Sequence, residues 1–142
     1  MKTIFFKTAL FTFLTLLFIS CSKDENASST ENNTGNTTVN TWAKFTITSP
    51  DGVVKPNYIV MMFDQPFSPT ENLPAIIKQA TSDANGLAYL DLKTIVTSTT
   101  PKRYYFEAFV ETASGYELKT NFSRFSTELE KGTTLTTSLL VN

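Results

Sequence analysis

From residue 42 onward, short apolar blocks alternate with polar positions at a period of two, and clusters of Pro, Gly, Asn and Asp separate the blocks. Residues 42–48 (WAKFTIT) place Ala43, Phe45 and Ile47 on one face of a strand. Ser49-Pro50-Asp51-Gly52 then reads as a tight reversal, because Pro fixes φ and Gly supplies the positive φ that such a turn requires. Residues 58–63 (YIVMMF) are apolar on both faces, the pattern of a central strand. Three prolines in residues 64–74 exclude a regular ladder and predict a loop. Residues 75–81 and 87–92 flank Ser82-Asp83-Ala84-Asn85-Gly86, which predicts a hairpin. The Thr-rich residues 94–100, stopped by Pro101, predict a crossover loop or a ragged edge.

Residues 103–111 (RYYFEAFVE) give the clearest strand signal, with Tyr104, Phe106, Ala108 and Val110 on one face and Tyr105, Glu107, Phe109 and Glu111 on the other. Residues 116–122 answer it with Tyr116, Leu118 and Phe122. Keeping both apolar faces on the core pairs Val110 with Tyr116 and sets Glu107 opposite Lys119 on the outer face, an ion pair worth about 0.2–1 kcal/mol. Residues 133–141 point Leu135, Leu139 and Val141 inward. No segment has a helical period. The predicted fold is all-β, an antiparallel β-sandwich of about seven strands spanning residues 42–142.

The first forty residues have a different character. Residues 1–7 hold two lysines and no acid, and residues 8–20 carry no charge. A run of that length falls short of the roughly 20 residues needed to span a bilayer in a helix, so residues 1–20 read as a secretory signal peptide. Residues 21–41 are dominated by Ser, Thr and Asn, cannot bury enough apolar surface to fold, and read as a flexible linker.

Phe18-Ile19-Ser20-Cys21 resembles the lipobox of bacterial lipoproteins, with Phe where Leu is usual. The resemblance implies a diacylglycerol thioether on Cys21, cleavage just before it and an acylated new amino group. Two or three acyl chains anchor a protein stably where one holds only marginally. Ser22-Lys23-Asp24-Glu25 resembles the surface-export signal of Bacteroidota-type lipoproteins, which implies the outer leaflet of the outer membrane; the bland alternative is the charged start of a solvated tether. Within the folded part, residues 80–90 (ATSDANGLAYL) and Lys131-Gly132-Thr133-Thr134 resemble turn segments of transthyretin-like and carboxypeptidase-regulatory-like domains. Immunoglobulin-like sandwiches use the same turn chemistry, and the resemblance assigns no activity.

Composition narrows the chemistry. The 142 residues include no histidine and one cysteine, which removes Ser-His and Cys-His nucleophile pairs, His-ligated metals, an intrachain disulfide and a thiolate zinc cluster. A net charge of −1 offers no basic surface for nucleic acid. Asp83-x-Asn85-Gly86 is better read as a turn than as a calcium loop, because its glycine falls two positions early for an EF-hand. Glu107 and Glu111 lie about 13 Å apart along a strand, beyond the roughly 5–9.5 Å of a glycosidase pair. The sequence therefore predicts neither an enzyme nor a cofactor or metal site. The aromatics Trp42, Phe67, Tyr105 and Phe109 are candidates for stacking on a sugar ring or anchoring a protein partner, unless a second sheet or the long loop covers them. The expected function is that of a lipid-anchored outer-membrane protein, exposed at the cell surface, whose non-catalytic sandwich binds a glycan or a protein. The alternative is a periplasm-facing structural component of an envelope complex.

Overall fold

The computed structural model describes residues 39–120 and 124–142. The expected signal peptide, Cys21, the export signal at residues 22–25, most of the expected linker and Phe122 lie outside them. Eight strands and no helix are present among the described residues: β1 (Trp42–Thr48), β2 (Ile59–Phe63), β3 (Lys78–Thr81), β4 (Leu87–Asp91), β5 (Lys102–Thr112), β6 (Gly115–Leu118), β7 (Phe125–Leu129) and β8 (Thr134–Leu140). They form two sheets. The smaller has the order β4-β1-β8, and the larger runs β3-β2-β5-β6 with β7 also on β5. The pairing of β1 with β8 is parallel and all others are antiparallel. The protein is an all-β sandwich, as its alternation predicts.

The two inner faces supply the main core. Phe45 and Ile47 of β1, Leu90 of β4 and Leu139 of β8 meet Val60, Met62, Phe106 and Ala108 of the larger sheet, all fully buried. Phe45 and Phe106 pack at 4.9 Å between ring centroids. Each of these side chains except the small Ala108 contributes about 1.5–3 kcal/mol by leaving water. Thr41, the last residue of the expected linker, is already part of this structure: its carbonyl accepts from Leu92 N and its hydroxyl from Gly132 N, at 2.9 and 2.8 Å.

A second cluster lies on the opposite face of the larger sheet. Ile59, Met61, Phe63 and Phe109 point outward from β2 and β5, and residues 64–74 fold back over them as a strap with Phe67 and Leu73 underneath. Phe67 sits 5.7 Å from Phe109 and 6.3 Å from Phe63. This explains why β2 is apolar on both sides: one face meets the small sheet and the other meets the strap.

Two sequence expectations are corrected. The turn at residues 82–86 forms as expected, with Gly86 N bonded to Asp83 O at 2.9 Å and Gly86 at φ 71°. It does not close a hairpin, however. β3 pairs with β2 and β4 with β1, so the turn is a corner that carries the chain from one sheet to the other. Ile47 N donates to Gly86 O at 2.8 Å and draws the following residues onto β1. Buried Ser82 stitches the corner by donating to Lys55 O and accepting from Tyr58 N. The second correction concerns β5 and β6: Val110 pairs with Glu117 rather than Tyr116, a shift of one position. Glu107 consequently does not oppose Lys119; Lys119 pairs with Glu117 at 2.6 Å and Glu107 is 2% exposed, inside the sheet.

Candidate functional site

Because β1 buries its odd-numbered residues, Trp42, Lys44, Thr46 and Thr48 lie on the outer face of the small sheet. On β4 the same face receives Leu87, Tyr89 and Asp91, and on β8 Thr134, Thr136, Ser138 and Leu140. The register sets Trp42 opposite Asp91 and Lys44 opposite Tyr89, so the two aromatic rings are diagonal neighbours. They meet at 5.9 Å between centroids with planes 34° apart. Tyr89 is 55% exposed and Trp42 is half-buried. Around this aromatic ledge stand Lys44, Asp91 and the hydroxyls of Thr134 and Thr136, all at neighbouring register positions. Asp91 accepts from Lys93 N, the first cause of a carboxyl pKa below its ordinary value, and it pairs with Lys93 Nζ at 3.2 Å. A flat sheet face with adjoining rings and a border of donors and acceptors can take a ligand that offers both an apolar face and hydroxyl groups.

A different arrangement occupies the far side of the larger sheet. β6 and β7 follow one another along one edge of β5. Between the pairs Phe109–Leu118 and Phe106–Phe125, three steps along β5 are matched by seven on the outer strand, a bulge of four extra residues. Glu107 lies opposite this bulge. Its carboxylate accepts from the Thr120 hydroxyl, whose oxygen accepts Ala108 N at 3.2 Å. Burial pushes the Glu107 pKa above the ordinary carboxylate value, opposed by the Thr120 hydrogen bond and the Arg124 charge. A cleft of about 130 Å³ opens beside it, with Phe67, Tyr105, Arg124, Phe125 and Ser126 in its walls. Arg124 donates to Phe67 O and so ties the strap to this edge. Among the described residues of these walls Glu107 is the only acid.

The four aromatics singled out by sequence thus part company. Trp42 is on the ledge. Tyr105 is half-buried in the wall of the cleft, whereas Phe67 and Phe109 are 8% and 1% exposed beneath the strap. Tyr89 is the partner the sequence reading missed. Its signal was available, since it is an outward-facing ring on a strand whose neighbours Ala88 and Leu90 are buried. Asp83 accepts hydrogen bonds from Asn85 N and Leu87 N at 2.8 and 2.9 Å, the local geometry of a turn. Among the described residues no group of three His, Cys, Asp or Glu could hold a metal.

No protein-family model matches the chain, and no curated protein matches it either.

Proposed function

We propose that this protein is a surface-exposed lipoprotein of an outer membrane, anchored through Cys21, whose β-sandwich is a non-catalytic glycan-binding module. The observation that carries the binding role is the ledge: Tyr89 and Trp42 in contact on an open sheet face, bordered by hydroxyl and charged side chains. Pyranose rings present an apolar face with hydroxyls around its rim, which this ledge complements in shape and polarity. The anchoring role rests on the lipobox-like Phe18-Ile19-Ser20-Cys21, and surface exposure on Ser22-Lys23-Asp24-Glu25. The transthyretin-like turn segments fit a sandwich that serves as a binding or spacer module.

Two measurements test this reading. Protease shaving of intact cells, with Cys21→Ala as control, should remove the domain; survival until the outer membrane is opened favours the periplasm-facing structural role instead. Retention of the full chain on immobilised neutral polysaccharides should fall at least about tenfold with Tyr89→Ala or Trp42→Ala, the loss of about 1.4 kcal/mol of contact. Equal retention by parent and variants across a panel of polysaccharides removes the glycan proposal.

A further inference from the structure

Among the described residues, four strands besides β8 lie at a sheet edge, and each carries a charge: Lys78 on β3, Asp91 on β4, Glu117 on β6 and Glu128 on β7. Charged side chains on an edge discourage the addition of a further strand. β8 has none. Residues 133–142 are uncharged and contain no proline. The only other uncharged strand is β2, which is central and paired on both sides. β8 therefore has the composition of a strand with two neighbours, yet among the described residues it pairs with β1 alone, and only beyond its end does Asn142 N donate to Lys119 O, at 3.2 Å.

The hydrogen bonds show what the open side presents. Trp42 N donates to Thr133 O at 3.2 Å and Val141 N to Thr48 O at 2.9 Å, so the odd-numbered residues of this segment face β1. By strand geometry the N–H and C=O groups of Thr134, Thr136, Ser138 and Leu140 then point to the open edge. These groups are self-complementary. A two-fold axis at Thr137 sets Thr134 against Leu140 of a second copy and Thr136 against its Ser138, each in the hydrogen-bonded type of antiparallel pair. No like charges meet, and Leu140, 44% exposed in the single chain, gains a neighbouring strand.

We infer that β8 pairs antiparallel with β8 of a second copy of this chain, joining two small sheets into one six-stranded sheet of order β4-β1-β8-β8-β1-β4. The outer faces of the two sheets become continuous, so both Trp42–Tyr89 ledges lie on one side of the dimer. The inference stands on edge composition and backbone geometry and is independent of what the ledge binds.

The test is a cross-link in the full chain, carried out in envelope membranes. At the axis the two Thr137 residues form a non-hydrogen-bonded pair, with Cα atoms about 4.5 Å apart, inside the range of about 4.4–6.8 Å that a disulfide spans. Thr137→Cys should therefore give a band of twice the chain mass under mild oxidation, absent from the parent chain, whose Cys21 serves as control. Adding Thr136→Lys and Ser138→Lys sets like charges directly opposite and should weaken the band about tenfold. Co-expression with a Thr137→Cys chain carrying Thr136→Glu and Ser138→Glu should restore it, which a misfolded variant could not do. The proposal is overturned if Thr137→Cys cross-links no better than the parent or if the added lysines leave the band unchanged. A band whose mass is that of one chain plus a different protein also overturns it.

Discussion

The hydroxyl of Thr120 donates to the Glu107 carboxylate and accepts the amide of Ala108 at 3.2 Å, so one side chain satisfies two groups inside the larger sheet. It does so where the bulge between β6 and β7 interrupts the ladder, in place of a backbone partner. Thr120→Val should leave both groups unsatisfied and cost about 1–3 kcal/mol. Thr120→Ser should recover most of the loss. The midpoint of urea unfolding decides it; a Thr120→Val protein as stable as the parent would show that the hydroxyl does not hold this edge.

Glu107 gives the domain a definite pH dependence. Burial raises its folded pKa above the unfolded value, so between the two the native state binds more protons. The resulting penalty is fully present above the folded pKa, shrinks as pH falls through it and is gone below the unfolded value. Glu107→Gln, which still accepts from Thr120, should raise the Tm at pH 7 and lose its advantage in acid. Asp51, Asp83 and Asp91 shift the opposite way, Asp51 through the Ser49 hydrogen bond, Asp83 through Leu87 N and Asp91 through Lys93 N, but Asp51 and Asp83 are exposed and Asp91 is only half-buried. A Tm-versus-pH series in which the parent and Glu107→Gln run parallel would contradict the assignment.

Among the described glycines, Gly86 is the least tolerant of a side chain. Its φ is 71°, and a Cβ there would lie 2.9 Å from Ile47 O, a backbone atom that cannot swing away. Left-handed backbone alone costs a non-glycine residue about 1–2 kcal/mol, and the contact adds to it. Gly86→Ala should lower the Tm markedly, while Gly52→Ala, with φ 82° but open space around it, should pay only the conformational part. Equal Tm values for the two variants would refute the role given to the corner.

The strap depends on Phe67. Its ring stacks over Phe63 and meets Phe109 edge-on, while Arg124 holds its carbonyl. Phe67→Ala removes a buried ring, a change that costs about 3–5 kcal/mol in a closed core and less where a loop can collapse. Limited proteolysis should then cut within residues 64–74 well before the rest of the domain. Uniform cleavage along the chain would show that the strap and sandwich unfold together.

Alternation made β1 and β5 legible, since Ala43, Phe45 and Ile47 and then Tyr104, Phe106 and Ala108 all face the core that periodicity assigns them. Periodicity reports which residues share a side of a strand; it does not report what covers that side. Phe109 therefore reads as outward in sequence, and only the strap, a loop with no period of its own, reveals it as buried. The same limit applies to Glu107: a charged residue on the second face of β5 suggests solvent, and the covering strap and bulge reverse that. β7 went unassigned in sequence because the bulge displaces it by four positions from the register that β6 sets. The corner at Gly86 carries a hairpin's local chemistry, and it is the pairing of β3 with β2 and of β4 with β1 that separates its two strands onto different sheets.

The parallel pairing of β1 with β8 joins positions about ninety residues apart in sequence. Such long-range contacts slow folding, because the intervening chain must be closed into a loop before they form. Strand β1 sits at the centre of the small sheet, so that sheet is complete only once Thr134–Leu140 has been synthesised. Until β8 has left the ribosome, one side of β1 offers its N–H and C=O groups unpaired, an open edge in what becomes the middle of the sheet.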